Sequence, residues 1–257
     1  MSDKQKFLED LRLVFLESCE DRLHTSLTHL EKIAHNDGDA TENLMVVRRD
    51  LHSMKGMGGA CGYPGITAVT HRAEEFLSNN NNLSADDISQ LYKFFDCVQS
   101  LMDRETQPNA DEIAEMVRKL PYHSNYNVEE LAKDHKVVEA LSIMPESVHQ
   151  RLINNELRSL GFRVSSISSS LEAIRMIVHT KPDIIVISAI VDEISGIELT
   201  KILRVIDNTK SIPIILVTSF DKKSLAEENL PADITIARKG ESFSEDISNC
   251  LIDLKII

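Results

Sequence analysis

The run Arg48-Arg49-Asp50-Leu51-His52-Ser53-Met54-Lys55-Gly56-Met57-Gly58-Gly59-Ala60-Cys61-Gly62 reads as a helix of unusual composition. Wound at about 100° per residue, it puts Leu51, Met54 and Gly58 in one stripe with Leu44 and Val47 of the preceding turns, the inner face of an amphipathic helix. His52 falls off that stripe. Arg48 and Arg49 stand one turn before it, Lys55 three residues after, and Gly56 and Gly59 at i+4 and i+7. Glycine in a helix costs about 0.8 to 1 kcal/mol relative to alanine, so Gly56, Gly58 and Gly59 together sacrifice roughly 2 to 3 kcal/mol that something must offset. Gly58 on the inner stripe permits close helix packing, whereas Gly56 and Gly59 on the outer face leave room beside His52 for another protein's active site. A neutral imidazole is nucleophilic near pH 7, and its attack on phosphorus gives a phosphoramidate. Lys55 is placed to steady the added negative charge, with Arg48 and Arg49 as further candidates for phosphate contact. The plain alternative is a solvent-facing histidine beside packing glycines. It leaves the shared face of imidazole, cation and outward glycines without a reason.

Around this helix, expected over residues 41–60, apolar residues keep helical spacing from residue 4 to about 104. A first helix is expected over 4–34, with a break allowed near Cys19, and the Asn36-Asp37-Gly38-Asp39 cluster ends it. Gly62-Tyr63-Pro64-Gly65 turns the chain into a third helix at 66–77, and Ser84 followed by Asp87 opens a fourth that runs to about 103. Short loops between such helices make an antiparallel four-helix bundle, assigned to residues 1–107. A short helix at 110–120 and the polar run 121–127 fall in a linker assigned to 108–134.

After the linker the period changes. Short β-branched runs at 137–143, 163–167, 183–187, 212–217 and 233–237 alternate with helix-like segments, which implies a five-stranded parallel sheet wound on both faces, a flavodoxin-like α/β domain over 135–257. Glu139 is out of place in the first strand and would be costly if buried there alone. The final segment, 243–254, is amphipathic enough to pair with another copy; oligomeric state is left open.

Composition narrows the function. The chain of 257 residues is 42% hydrophobic, enough for two ordinary cores. It carries 28 Lys and Arg against 41 Asp and Glu, and a net charge of −13 disfavours phosphate backbones and anionic lipid, so neither nucleic acid nor membrane is expected as a partner. The longest apolar stretch, around 184–191, is far short of the roughly 20 residues of a membrane span, and the first ten residues carry no secretory core, so a cytoplasmic protein is expected. Cys19, Cys61, Cys97 and Cys250 are scattered and read as reduced thiols. The histidines lack ligand spacing; His24, His29 and His71 are read as structural or surface residues, and no metal site is expected.

His52-Ser53-Met54-Lys55-Gly56-Met57-Gly58-Gly59, with Gly62 beyond and His71-Arg72-Ala73-Glu74-Glu75 on the next helix, resembles the histidine-containing phosphotransfer (HPt) domain of two-component signalling, including its version in chemotaxis kinases. The resemblance implies that His52 accepts phosphate from a receiver aspartate or a kinase and passes it on, that Lys55 contacts the phosphoryl group, and that Gly56 is the motif glycine. The second half resembles the receiver domain of response regulators: Pro182 to Ser188 followed by Gly196 copies its third strand and loop, Thr218 falls at its hydroxyl position and Lys239 at its lysine. Receivers hold Mg²⁺ with an acidic pair after the first strand and an aspartate after the third. Here Met144 and Pro145 stand for the pair and Ser188 for the aspartate, side chains that cannot supply the charged oxygens Mg²⁺ needs. The domain is therefore read as a pseudo-receiver. Glu146, Asp192 and Glu193 are the acids left to form a displaced metal site, a role loop carboxylates seldom take.

The expected function is a phosphorelay intermediate, with His52 carrying phosphate between receiver domains of response regulators or hybrid histidine kinases and the pseudo-receiver serving as a docking or regulatory module. No glycine-rich nucleotide loop is visible, so the chain is read as a stoichiometric phosphocarrier and not an autonomous kinase; it binds no cofactor of its own and relies on Mg²⁺ in the partner receiver. The alternative is a non-catalytic interaction protein that uses both domains as binding surfaces.

Overall fold

A computed structural model describes residues 3–78, 80–122, 137–221, 224–225, 228–240 and 243–256, which divide into two compact units, 1–123 and 124–257. The expected linker tail at 123–134 lies outside the described residues.

The first unit holds helices α1 (Asp3–Ala34), α2 (Ala40–Gly58), α3 (Pro64–Ser78), α4 (Ala85–Met102) and α5 (Ala110–Lys119). α1 passes through Cys19 unbroken, and that thiol is buried in the core. Asp39 caps α2 by accepting from the Thr41 and Glu42 amides, and Ser84 with Asp87 forms the expected reciprocal cap on α4. α3 starts two residues earlier than expected because Pro64, with its fixed φ and missing N–H, suits the first helical position. The helices run antiparallel: Arg22 meets Asp50 and His29 meets Asn43 across α1 and α2, and Phe76 stacks near Phe94 across α3 and α4. Leu44, Val47, Leu51, Met54 and Gly58 all face the core, as their spacing requires. α5 departs from expectation. It buries Ile113, Ala114 and Val117 and packs on α3, so this helix completes the bundle and is not part of a linker. Its hydrophobic side chains, three and four residues apart, need a surface to cover, and α3 is buried nearly all round because helices lie on several sides of it.

The second unit is a five-stranded parallel sheet in the order β2-β1-β3-β4-β5, formed by β1 (Glu139–Ile143), β2 (Arg163–Ile167), β3 (Ile184–Ser188), β4 (Ile214–Thr218) and β5 (Thr235–Arg238). Helices α6 (Val148–Ser159), α7 (Ser170–Thr180), α8 (Gly196–Val205) and α9 (Phe243–Asp253) flank it. β4 begins after Pro213, which has no N–H to give the ladder although its carbonyl accepts from Ile185. Glu139 is buried as feared, but Arg163 lies opposite it in register on β2 and donates to its carboxylate at 3.1 Å. The charge is therefore paired at one end of the sheet, the arrangement under which burial is tolerated.

Candidate functional site

His52 leaves α2 with its side chain 74% exposed, because it lies well away from the stripe that faces the core. Its Nδ1 is 2.9 Å from Glu74 Oε1 on α3. A carboxylate only accepts, so Nδ1–H donates to it and Nε2 is left as the other ring nitrogen, with no hydrogen bond to it among the described residues. Lys55, one turn on, places Nζ 2.8 Å from the other oxygen of Glu74 while its side chain is only 16% exposed. One carboxylate thus orients both the imidazole and the ammonium. The α2 and α3 backbones are kept together just beyond this pair: Thr67 Oγ1 donates to the Lys55 carbonyl at 3.0 Å, and a Cβ on Gly58 would lie 2.8 Å from that same hydroxyl. Gly58 is the position that permits the close approach, and a Cβ at Gly56 would meet nothing within 4 Å. Gly59 is half-buried and caps the helix instead of lying on its open outer face, since α2 ends one residue before it.

The carboxyl ends of β3, β4 and β5 carry the other group of singled-out residues. Ser188 closes β3 and Thr218 closes β4, both almost fully buried. Lys239 follows β5 and donates from Nζ to Ser188 Oγ at 3.2 Å. Partial burial draws the Lys239 pKa down. Thr218 Oγ1 accepts from the Phe220 amide at 3.0 Å. Met144 is packed in the core with its carbonyl held by Gln150, and Pro145 follows half-buried. A Cβ on Gly196 would come within 1.9 Å of the Ser188 carbonyl oxygen, so only glycine lets α8 start there. These side chains do not fit Mg²⁺, for they offer a thioether, a ring carbon and a hydroxyl where charged oxygens are required.

The Hpt domain family matches residues 10–119, and the response regulator receiver domain family matches residues 141–236. The chain belongs to the response regulator receiver family. An Hpt domain is followed by a receiver domain in one polypeptide. The chain is 31% identical across 88 residues to the polar-differentiation response regulator DivK of Brucella anthropi, covering 31% of this chain and 72% of that protein. It is 30% identical across 76 residues to DivK of Brucella ovis, covering 30% and 62%. Among solved structures, a putative response regulator from Chloroflexus aurantiacus aligns at 22% identity and a TM-score of 0.42, covering 47% of this chain and 99% of that one. The receiver domain of a sensor histidine kinase from Pseudomonas aeruginosa, described with a magnesium ion in its active site cleft, aligns at 21% identity and a TM-score of 0.40, covering 46% and 97%. The Hpt match takes in α5, in keeping with its place in the bundle.

Within the Hpt domain, His52 and Lys55 come together as their spacing implied, and Glu74 joins them. Sequence reasoning quoted Glu74 without giving it a role; the signal was available in its place on the third helix, but the pairing of α2 with α3 was needed to show which of Glu74 and Glu75 turns to His52. Arg48 does not join the group. Its guanidinium donates to the Leu77 and Asn80 carbonyls and to Asn81 Oδ1, tying α2 to the end of α3. Arg49 is exposed and leans on Asp50 at 3.6 Å. In the receiver domain the displaced acids do not converge: Glu193 accepts from Ser169 and from the Leu171 amide at the start of α7, and no metal-holding cluster occurs among the described residues.

Proposed function

We propose that the chain is a phosphorelay intermediate in which His52 Nε2 is the phosphoacceptor. Its domain pair places it in two-component phosphorelay signalling. The observation that carries the finer reading is the hydrogen bond from His52 Nδ1 to Glu74, which engages Nδ1 and leaves Nε2 as the ring nitrogen turned to solvent in an exposed side chain. Attack by Nε2 on a partner's aspartyl phosphate forms the N–P bond, breaks the P–O bond and returns a free carboxylate to the partner. Lys55, already turned to this face, steadies the phosphoryl oxygens, and the open space at Gly56 admits the partner's loops. Mg²⁺ and its carboxylates belong to the partner, a receiver domain of a response regulator or hybrid histidine kinase. The chain acts as a stoichiometric carrier in the cytoplasm, and its own receiver domain serves docking or regulation.

The deciding experiment incubates the full chain and a His52→Gln variant with a phosphorylated receiver and follows transfer of label. Label on the wild type alone, stable to base and lost in acid, is the expected result. Equal labelling of the two chains overturns the assignment.

A further inference from the structure

Beyond the bonds to Glu74 itself, α2 is tied to α3 on either side of the His52 site. On one side Thr67 Oγ1 donates to the Lys55 carbonyl. On the other, Arg48 Nη2 donates to the Leu77 carbonyl at 2.9 Å, to the Asn80 carbonyl at 3.0 Å and to Asn81 Oδ1 at 3.1 Å. The last carbonyls of a helix have no partner within it, and a guanidinium set against them satisfies them and complements the negative end of the helix dipole. This end of α3 is itself anchored. Asn80 Nδ2 donates at 2.9 Å to Asp87 Oδ2, the oxygen that also accepts from the Ser84 amide and hydroxyl in the cap of α4. Arg48 therefore grips a fixed point. His52 follows Arg48 by four residues on α2, and Glu74 precedes Leu77 by three on α3, so both partners of the ring's hydrogen bond stand about one turn inside this link. Thr67 is seven residues from Glu74, about two turns away, and governs its reach less closely.

We propose that Arg48 is a positioning residue for phosphotransfer: by clamping the end of α3 it fixes the reach of Glu74 to His52 Nδ1 and Lys55 Nζ, acting through that carboxylate and not by touching phosphate. These two contacts, at 2.9 and 2.8 Å, survive only displacements of less than about 1 Å, since a separation of 3.6 Å is no longer a hydrogen bond. The effect on transfer rests on the relay reading; the effect on the ring does not.

The test compares the full chain with Arg48→Met, Arg48→Lys, Glu74→Ala and the double variant Arg48→Met with Glu74→Ala. One readout is the ¹⁵N shifts of the His52 ring at a pH where the imidazole is neutral, which report the nitrogen that holds the proton. The other is the rate of labelling of His52 by phosphoramidate, a small donor with no docking surface: the ring nitrogen attacks phosphorus, the new N–P bond forms, and the donor's own P–N bond breaks to release ammonia. Arg48→Met is expected to move the ring toward a mixture of tautomers and to slow labelling between about two- and tenfold, the lower range of couplings within one hydrogen-bond network. Arg48→Lys, which brings an ammonium to the same carbonyls, restores part of both. In the Glu74→Ala background Arg48→Met adds no further slowing. Should Arg48→Met fail to fold by circular dichroism, Arg48→Gln takes its place in the same comparison. Unchanged ring shifts in the folded variant, or equal slowing with and without Glu74, overturn the proposal, as does slowing confined to a phosphorylated receiver as donor, which makes Arg48 a partner contact. A ring that responds as expected in a chain that takes no label from a phosphorylated receiver overturns the relay reading and leaves the hold of Arg48 on Glu74 standing.

Discussion

At the scale of single residues, the site turns on what one carboxylate holds. Glu74→Ala frees the ring to adopt either tautomer and releases Lys55, and is expected to slow labelling of His52 by roughly 10- to 100-fold, the value of one charge-assisted hydrogen bond. Glu74→Gln keeps an acceptor for Nδ1 and so falls between the two; initial rates together with imidazole ¹⁵N shifts check both. The glycines separate by a different measurement. Gly56→Ala meets open space and is expected to stabilise α2 by about 0.5 to 1 kcal/mol in urea denaturation while slowing transfer from a partner. Gly58→Ala drives a methyl against Thr67 Oγ1 and the Tyr63 carbonyl, and a loss of about 1 to 3 kcal/mol is expected in the same assay.

At the scale of elements, the loop from β3 to α8 is set by contacts that tolerate little change. Gly196→Ala puts a carbon 1.9 Å from the Ser188 backbone, which must move; a loss on the order of 3 kcal/mol or more in the receiver domain is expected, read by thermal unfolding. Glu193 gives the acid side of the stability curve. Hydrogen bonds from Ser169 first, then from the Leu171 amide and Ser170, hold its carboxyl below the ordinary glutamate value of 4.5. A depressed native pKa means that this stabilisation is present above the unfolded value and is lost as the pH falls through the native one. Glu193→Gln is therefore expected to lower stability modestly at neutral pH and to converge on the wild type as the pH falls below 4.5, flattening the acid limb, as followed by circular dichroism. α5 shows the opposite case of an element whose importance lay in packing. Its short helical pattern was readable, but not the exposed side of α3 that it covers.

At the scale of the whole molecule, two units with separate cores divide the chemistry between them. On the proposed function the Hpt domain supplies the nucleophile, while in the receiver domain Met144, Pro145 and Ser188 stand at the strand ends. Incubation with Mg²⁺ and a small acyl phosphate donor is accordingly expected to leave residues 137–256 without hydroxylamine-sensitive label by mass spectrometry; an acyl phosphate there would contradict the pseudo-receiver reading. Much of this division was legible because periodicity changes along the chain from 3.6 to 2. The placement of His52 beside Lys55 followed from local spacing, whereas Ser188, Thr218 and Lys239 were singled out by the resemblance to the receiver family. Arg48 misled because two adjacent arginines look alike on a helix face, while only the end of α3 decides that one of them binds carbonyls. Glu139 was rightly marked as costly, but its partner Arg163 is 24 residues away and is set opposite it by strand register.

The amino-acid order alone settled which segments are helical or extended, where an imidazole must leave the apolar stripe, and which acids are missing. These are local properties, fixed by side-chain period and by chemistry at each position. Tertiary structure decided the rest: that Glu74 holds both His52 and Lys55, that Arg48 is spent on a helix end, and that Lys239 faces a hydroxyl. Each of these depends on groups from different elements meeting within about 3 Å, a separation set by how faces pack and not by their spacing along the chain.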